Sequence, residues 1–222
     1  MVLVDCLTSK ATDRTRKKFK SYPIGFFHID IAEVRTEQGK LHMFVAIDRT
    51  SKFAYVELHE KATTAASREF LLRLIAVVPY KIHTVLTDNG IQFTTPGAGG
   101  SAVPLIKEAI ANGELFWAHA FELTCARNDI DHRTTKAKHP WTNGQVERMN
   151  RTIKDATVRR FYYQSHDQLR KHLADFISAY NFGRRLKTLK GLTPYEFICK
   201  AWASSPERFS INPLQQMPGL NT

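Results

Sequence analysis

The 222-residue sequence contains few cysteines and no long hydrophobic run. Cys6, Cys125 and Cys199 are far apart and form no Cys-x-x-Cys pair, which argues against a disulfide framework and against a zinc finger. No segment approaches the ~20 apolar residues of a membrane span, and the apolar run at the start is too short for a signal peptide. We therefore expect a cytoplasmic protein in a reducing compartment, with no membrane partner.

Two signatures of common binding sites are also missing. The nine histidines lack metal-ligand spacing, so we interpret them as surface or packing residues. The stretch "TTPGAGGS" (94–101) is rich in glycine but lacks the Lys-Ser/Thr pair of a phosphate-binding loop, and we interpret it as a connection.

Positive charge is abundant and unevenly distributed. The chain has 32 Lys or Arg against 21 Asp or Glu, a net charge of +11. Residues 133–190 hold 14 basic and 4 acidic side chains, whereas residues 21–132 hold 10 and 13. A basic block joined to an acidic half suits a polyanionic partner beside a cation site. A solvated helical surface is the alternative explanation of the block.

Hydrophobic periodicity predicts an α/β domain with a mixed sheet flanked by helices. The first three strands are joined by short connections, which favours an antiparallel meander. The predicted order is strands over 24–34, 40–50 and 52–60, a helix over 63–78, a strand over 81–90, a helix over 102–113, and a helix and then a strand over 121–135. Helices over about 145–161 and 165–184 follow, and another lies within 193–209.

Asp30 lies among apolar strand residues in "FFHIDIAEV", where a charge is costly unless it is paired or bound to a cation. Strand alternation places Asp30 on the same face as His28 and places Phe27, Ile29 and Ile31 on the other. Asp30 can therefore line a cleft on the more polar face. An exposed or salt-bridged aspartate is the alternative.

Two further acids occupy positions that a sheet-and-helix fold can bring near Asp30. Asp88 ends the strand "IHTVLTD" and is followed by Asn-Gly, although this is also ordinary turn chemistry. Glu147 lies near the start of a basic helix, where any acid benefits from the helix dipole. Three carboxylates without Cys or His suit Mg²⁺ or Mn²⁺. Two such ions about 4 Å apart can promote in-line phosphoryl displacement.

The helix that carries Glu147 also carries cations at helical spacing. Glu147, Arg151 and Lys154 are separated by four and three residues, so one face presents the acid and two basic groups. The packing stripe is expected to comprise Val146, Met149, Ile153 and Ala156. Glu147 would then hold metal while its neighbours hold phosphate.

Four stretches resemble the successive blocks of the catalytic core of DDE transposases and retroviral integrases, in particular bacterial insertion-sequence transposases. They are "HIDIAEV", "FVAIDRTSKFAYV", "VLTDNGIQFT" and "HPWTNGQVERMNRTIK", and the resemblance spans about residues 20–200. It implies an RNase H-like five-stranded sheet in which Asp30, Asp88 and Glu147 bind two Mg²⁺ ions. It also implies that water cuts the ends of a mobile DNA element and that the freed 3′-hydroxyl attacks target DNA, without ATP or a covalent protein intermediate.

The resemblance also implies a DNA-binding surface around the glutamate, a homo-oligomer, and a bacterial protein that is nucleoid-associated when bound to DNA. The candidate DNA-binding residues are Asn143, Gln145, Arg148, Arg151, Lys154, Lys136 and Lys138.

The sequence departs from the family pattern in two places. Between Asp88 and Glu147 lie 58 residues, more than is usual, which implies a helical insertion at about 95–125, with Phe116, Trp117 and Phe121 as its apolar residues. The residues before the first strand are too few for the helix-turn-helix region of related transposases. We therefore expect a basic arm or linker remnant over 1–20, a catalytic core over 21–200 and a C-terminal tail over 201–222, of which residues 212–222 should be poorly ordered.

Three hypotheses of function follow. The first is a metal-dependent transposase or integrase core that hydrolyses and joins DNA strands. The second is a nuclease of the same fold, in which water is the only nucleophile. The third is a truncated or inactive DNA-binding fragment. Strand joining separates the first from the second, and substitution of Glu147 tests the third.

Overall fold

A five-stranded mixed sheet forms the centre of the molecule. A computed structural model of the chain describes residues 22–97, 100–135 and 144–216. The strand order is β3-β2-β1-β4-β5, with β1 to β3 antiparallel and with β4 parallel to both β1 and β5. The predicted fold class is therefore confirmed. The strands are β1 (Phe26–Thr36), β2 (Gly39–Asp48), β3 (Ala54–His59), β4 (Thr84–Thr87) and β5 (Asp131–Thr134).

Six α-helices cover both faces of the sheet. On one face the core includes Phe27 and Ile29 of β1 together with residues of α1, α2, α3 and α6. On the other face it includes Met43 and Val45 of β2 together with residues of α4 and α5. The helices are α1 (Thr64–Val77), α2 (Val103–Asn112), α3 (Ala120–Arg127), α4 (Gly144–Ala156), α5 (His166–Ser178) and α6 (Pro194–Ser204).

The turn from β1 to β2 fixes the register of the meander. Thr36 pairs with Gly39, and Gly39 has φ 124°, a conformation that side chains other than glycine rarely adopt. From this turn the pairing continues to Phe27 opposite Asp48. Asp30 thereby lies opposite Val45, whose side chain belongs to the core under α4 and α5. The register therefore turns Asp30 toward the face that α4 covers.

Two helices end earlier than their periodicity predicts. α4 ends at Ala156 rather than near Phe161, because Thr157 begins a turn in which its hydroxyl donates to the Ile153 carbonyl oxygen over 2.7 Å. α5 ends at Ser178, and a π-helical turn follows over Ala179–Gly183. In that turn Asn181 bonds both the N–H and the carbonyl oxygen of Ala54, at 2.9 and 2.8 Å. This amide therefore ties the segment after α5 to the start of β3.

The connection between β4 and β5 contains α2 and α3, in agreement with the predicted helical insertion. Phe121 is fully buried there, but Trp117 is 80% exposed and Phe116 is also exposed. The expectation that all three aromatic residues support the insertion is therefore wrong for Phe116 and Trp117. They lie in the segment between the two helices, which presents their rings to solvent.

The domain boundaries stay predictions. The expected arm over 1–20 lies outside the described residues. Within the expected tail, the segment up to residue 216 packs on the sheet domain: Tyr80 pairs with Phe209, and the Tyr195 hydroxyl donates to the Pro213 carbonyl oxygen. The packed unit therefore extends beyond residue 200.

Candidate active site

Asp30 occupies the middle of β1 on the face predicted from alternation. Phe27 and Ile29 are fully buried in the opposite core, and Ile31 packs against it. Asp30 is half-buried, and each of its carboxylate oxygens accepts one hydrogen bond. Oδ1 accepts from the Ile31 N–H at 2.9 Å, and Oδ2 accepts from Asn150 Nδ2 at 2.7 Å. The carboxylate is therefore held in a fixed orientation.

Asp88 follows the last residue of β4, beside β1. The parallel register pairs Phe27 with Val85 and His28 with Leu86, and its extension by two residues brings Asp30 level with Asp88. Asp88 is exposed, and its Oδ1 accepts from the Gly90 N–H at 3.0 Å. A Cβ atom at position 90 would lie 2.9 Å from that oxygen, so a larger residue there would displace the Asp88 carboxylate. The two aspartates therefore lie at neighbouring positions of adjacent strands.

Glu147 lies in the first turn of α4 and is exposed. The helix packs on the sheet through Val146, Met149 and Ile153, as predicted, and this packing directs Glu147 to one flank of the helix. The Glu147 charge raises the pKa of Asp30, as does the charge of Asp88. The three predicted carboxylates are therefore electrostatic neighbours.

The electrostatics of Asp30 are dominated by burial. The pKa of Asp30 is raised to about 6: burial is the largest cause, the charges of Asp88 and Glu147 add to it, and the hydrogen bonds from Ile31 and Asn150 oppose it. The deprotonated carboxylate is thus destabilised by burial and by repulsion at neutral pH. A bound cation would relieve both effects.

Asn150 is a site residue that the sequence analysis did not identify. It lies one turn after Glu147 on α4, is 8% exposed, and donates to Asp30. Its own Oδ1 is buried and has no hydrogen-bond partner among the described residues. An asparagine in a basic helix gives no sequence signal by itself. Its place in the packing stripe, one turn from the acid, is the feature that could have indicated it.

His28 lies two residues before Asp30 on the same face of β1. It is 1% exposed, and within the described ranges neither ring nitrogen has a hydrogen-bond partner. Burial, together with the charges of Arg49 and Lys52, lowers the pKa of His28 to about 4. The imidazole is therefore neutral at physiological pH, and it adds no positive charge to the site.

A buried array of Glu122, His132 and Thr87 contacts the backbone of Asp88. Glu122 and His132 are both inaccessible, with 3.5 Å between Glu122 Oε1 and His132 Nδ1. His132 Nε2 lies 2.9 Å from the Thr87 hydroxyl, which donates to the Asp88 carbonyl oxygen over 2.7 Å. Glu122 also accepts from the Ala102 N–H at 2.8 Å. The array thus joins the start of α2 to the strand end that carries Asp88.

The candidate DNA-binding residues divide between two flanks of α4. Successive residues of an α-helix are rotated by about 100°, so Arg151 and Lys154 share the flank of Glu147, whereas Gln145 and Arg148 lie on the opposite flank. The role of all four residues in DNA binding stays a prediction. Asn143, Lys136 and Lys138 lie outside the described residues.

The chemistry of the carboxylates suits a divalent cation. Their oxygen donors are those that Mg²⁺ and Mn²⁺ prefer, and the repulsion at Asp30 is of the kind that a cation relieves. In residues 22–97, 100–135 and 144–216, however, no three His, Cys, Asp or Glu side chains are placed to hold one ion together. The donor set thus fits a cation in charge and ligand type.

No helix in the described parts of the chain is long and apolar enough to cross a membrane.

Two family profiles match the chain, and both are described as integrase core domain. One matches residues 21–140 and the other matches residues 128–194. The first alone covers more than half of the chain, and it includes Asp30 and Asp88, whereas the second includes Glu147.

A curated relative supports the same family. The putative integrase ORF3 of Spiroplasma virus SpV1-C74 is 23% identical over 197 residues, which are 85% of this chain and 51% of that protein. Another curated relative, the uncharacterized protein K02A2.6 of Caenorhabditis elegans, is 25% identical over 130 residues, or 57% of this chain. The chain spans only 8% of the length of that protein.

Solved structures of integrase catalytic cores share the fold. The catalytic core domain of BIV integrase has a TM-score of 0.58 and 20% identity, over 82% of this chain and 98% of that chain. The HTLV-2 integrase catalytic core domain in complex with magnesium, in a trimeric form, has a TM-score of 0.57 and 19% identity, over 78% of this chain and 95% of that chain.

Proposed function

This chain belongs to the integrase core domain family and carries a catalytic domain of the DNA integrase and transposase type, and on that premise we propose that Asp30, Asp88 and Glu147 bind two Mg²⁺ or Mn²⁺ ions for phosphodiester hydrolysis and strand transfer. The electrostatic coupling of the three acids carries this proposal. Burial and the charges of Asp88 and Glu147 raise the pKa of Asp30, as expected for acids that share a cation.

Each acid contributes in a different way. Asp30 is the fixed ligand, because Ile31 and Asn150 orient its two oxygens. Asp88 stands at the end of β4, where its carboxylate accepts from the Gly90 N–H, and Glu147 is proposed to complete the ligand set from the first turn of α4. When bound, the two divalent cations supply activation of the attacking oxygen and stabilisation of the leaving oxygen.

The basic groups beside Glu147 bind the DNA that reacts. Arg151 and Lys154 lie on the Glu147 flank of α4, so they neutralise backbone phosphates next to the carboxylates. From the segment that precedes α4, Lys136 and Lys138 are proposed to neutralise phosphates in the same way, and Asn143 is proposed to donate hydrogen bonds to the DNA.

Strand transfer tests this function. The unmodified chain is mixed with a labelled duplex that has free 3′-hydroxyl ends and with a supercoiled plasmid, in Mg²⁺, in Mn²⁺ and in EDTA. Joined products that require the metal are expected. A nuclease gives only shortened products, and an inactive fragment gives neither, so either result would overturn the proposal.

A matched substitution on the same helix identifies the acid. Glu147→Gln should abolish the metal-dependent products, whereas Asp155→Asn should retain them, because exposed Asp155 pairs with Arg159 at the other end of α4. Equal activity of the two variants would contradict the role of Glu147.

We also propose that the chain self-associates on DNA. The HTLV-2 integrase core has dimeric and trimeric forms, and cutting two ends of an element requires two sites. Light scattering on the chain with and without duplex DNA should give more than one copy per complex. A monomer under both conditions would refute self-association and would leave the proposed metal chemistry unaffected.

A further inference from the structure

A basic cavity lies on the flank of α4 that faces away from Glu147. Its volume is about 340 Å³, and it opens between α4, the turn that joins β2 to β3, and the segment after α5. Arg148 and Thr152 line it from α4, and Lys52 lines it from the turn. Arg184, Lys187 and Thr188 complete the polar wall. The floor is apolar and includes Met149 and Tyr180.

The charge of this cavity is not compensated by acids. Its described lining includes four cations and no aspartate or glutamate. None of the four forms an ion pair with any residue that the structure describes, whereas elsewhere Arg73 pairs with Glu57 and Arg159 pairs with Asp155. Four cations held around one cavity repel each other, so an anion there would be strongly stabilised.

Hydrogen bonds hold Lys52 in the wall of the cavity. The Lys52 ammonium donates to the Arg49 carbonyl oxygen and to Gln145 Oε1, the latter over 3.1 Å. Burial lowers the pKa of Lys52, and so do the charges of Arg49 and Arg148, against the opposing charge of Asp48. Lys52 has φ 62°, in a turn whose N–H groups are bound by buried Asp48. The turn therefore holds this cation at the cavity.

The lining chemistry is that of a phosphate site. Guanidinium groups donate hydrogen bonds in a planar fork to phosphate oxygens, and the Thr188 hydroxyl can donate to the same oxygens. The cavity is also open to solvent, and Arg148, Arg184 and Lys187 in its wall are exposed. A chain of phosphates suits this arrangement better than a single enclosed anion.

We propose that this cavity binds the phosphodiester backbone of DNA at a position away from the phosphate that reacts. The inference depends on the proposed function only for DNA as the ligand. Because α4 separates the cavity from Glu147, the contact adds affinity and fixes the DNA on the helix without reaching the carboxylates.

Binding without metal tests the proposal independently of catalysis. The affinity for a fluorescent duplex is measured by anisotropy in EDTA over a range of salt concentrations. The variant Arg184→Gln with Lys187→Gln is compared with Lys200→Gln with Arg208→Gln, which removes the same charge from exposed positions on α6 and the segment after it. Loss of two phosphate contacts should reduce the slope of log K against log salt by about 1.8 and weaken binding at least tenfold more than the control. Equal losses in the two variants would overturn the proposal.

A pair of single substitutions covers the case in which the double variant does not fold. Thr188 is exposed at the cavity, so Thr188→Glu and Thr188→Gln should both fold. Thr188→Glu should weaken DNA binding and Thr188→Gln should not. Identical affinities would overturn the proposal.

Inorganic phosphate distinguishes a backbone site from a small-anion site. If the cavity holds DNA, phosphate at constant ionic strength should compete with the duplex in the unmodified chain and less in the double variant. Phosphate that protects the chain from thermal unfolding but never competes with DNA would overturn the proposal in favour of a small-anion pocket. If phosphate competes with DNA as expected but no strand transfer is detected, the proposed function is wrong and the DNA site at this cavity is retained.

Discussion

Asn150 on α4 donates a hydrogen bond to Asp30 on β1, with 2.7 Å between Asn150 Nδ2 and Asp30 Oδ2. This bond crosses from the helix that carries Glu147 to the strand that carries the first aspartate, so it couples the position of α4 to the orientation of the carboxylate. It stabilises the charged form of Asp30, but burial and the two neighbouring acids outweigh it, because the pKa is still raised to about 6. The site therefore has a stability cost that a cation removes.

Asp30→Asn should stabilise the metal-free protein. The amide of Asn150 can rotate so that its Oδ1, which lacks a partner among the described residues, accepts from the new amide, while the Ile31 N–H keeps its acceptor. The pKa of Asp30 is higher in the folded chain than the ordinary 3.8, so ionisation of Asp30 lowers the free energy of unfolding. This loss reaches its full size above pH 6 and disappears as the pH falls toward 3.8. Urea unfolding in EDTA at pH 8 should show a gain of about 1 to 2 kcal/mol, allowing for partial exposure.

The same comparison at pH 4 should show no gain. Loss of stability at both pH values would contradict the assigned cause of the raised pKa. Asp155→Asn, an exposed change on α4, is the control and should leave the free energy of unfolding nearly unchanged.

Divalent cations should stabilise the unmodified chain and not the Asp30→Asn variant. A ligand that binds only the folded state raises its stability by mass action, and the variant lacks the fixed carboxylate. Thermal unfolding with and without millimolar Mn²⁺ or Mg²⁺ measures this difference. An equal rise of the two melting temperatures would place the cation elsewhere.

Asn150→Ala should make the site work only at higher pH. Removal of the donor to Asp30 Oδ2 raises the pKa of Asp30 further. Metal binding must then displace the proton of Asp30 over a wider range of pH. The pH dependence of Mn²⁺ affinity, followed by thermal shift, should move upward, and saturating metal at high pH should restore part of the strand transfer. A parallel loss at all pH values would indicate only a packing defect.

Asp48→Asn should be poorly tolerated, in contrast to Asp30→Asn. Buried Asp48 accepts from the N–H groups of Gly25, Thr50 and Ser51 at 2.7, 2.6 and 2.8 Å. These partners are all backbone donors, so an amide would face at least one of them with its own N–H groups. We expect a loss of about 2 to 4 kcal/mol in urea unfolding. A loss below that of an exposed substitution such as Glu33→Gln would contradict this account.

Much of the fold follows from local pattern. Period-two alternation in the first strands specifies which face holds Phe27 and Ile29, and the short connections specify an antiparallel meander. The same reasoning places Asp30 on the polar face, and the strand-tip position of Asp88 and the helix position of Glu147 follow from their flanking residues. These features are local, so the sequence determines them before any tertiary contact forms.

The remaining features depend on long-range packing. Asn150 becomes a site residue only because α4 lies across β1. The end of α4 depends on one threonine that bonds back to the preceding turn. The exposure of Trp117 depends on how α2 and α3 meet, which periodicity does not report.

Glu122→Ala should damage both stability and activity, whereas Glu122→Gln should preserve much of each. Glu122 and His132 are inaccessible, so removal of the carboxylate leaves the Ala102 N–H without its acceptor and a cavity beside His132, at a cost of about 3 kcal/mol or more. A glutamine keeps an oxygen for Ala102 and an amide that can donate to His132 Nδ1. Because His132 bonds Thr87, which bonds the carbonyl oxygen of Asp88, the alanine variant should also need more Mn²⁺ for strand transfer at a temperature where it is folded. Unchanged metal dependence in a folded Glu122→Ala variant would show that the array stabilises the fold without positioning Asp88.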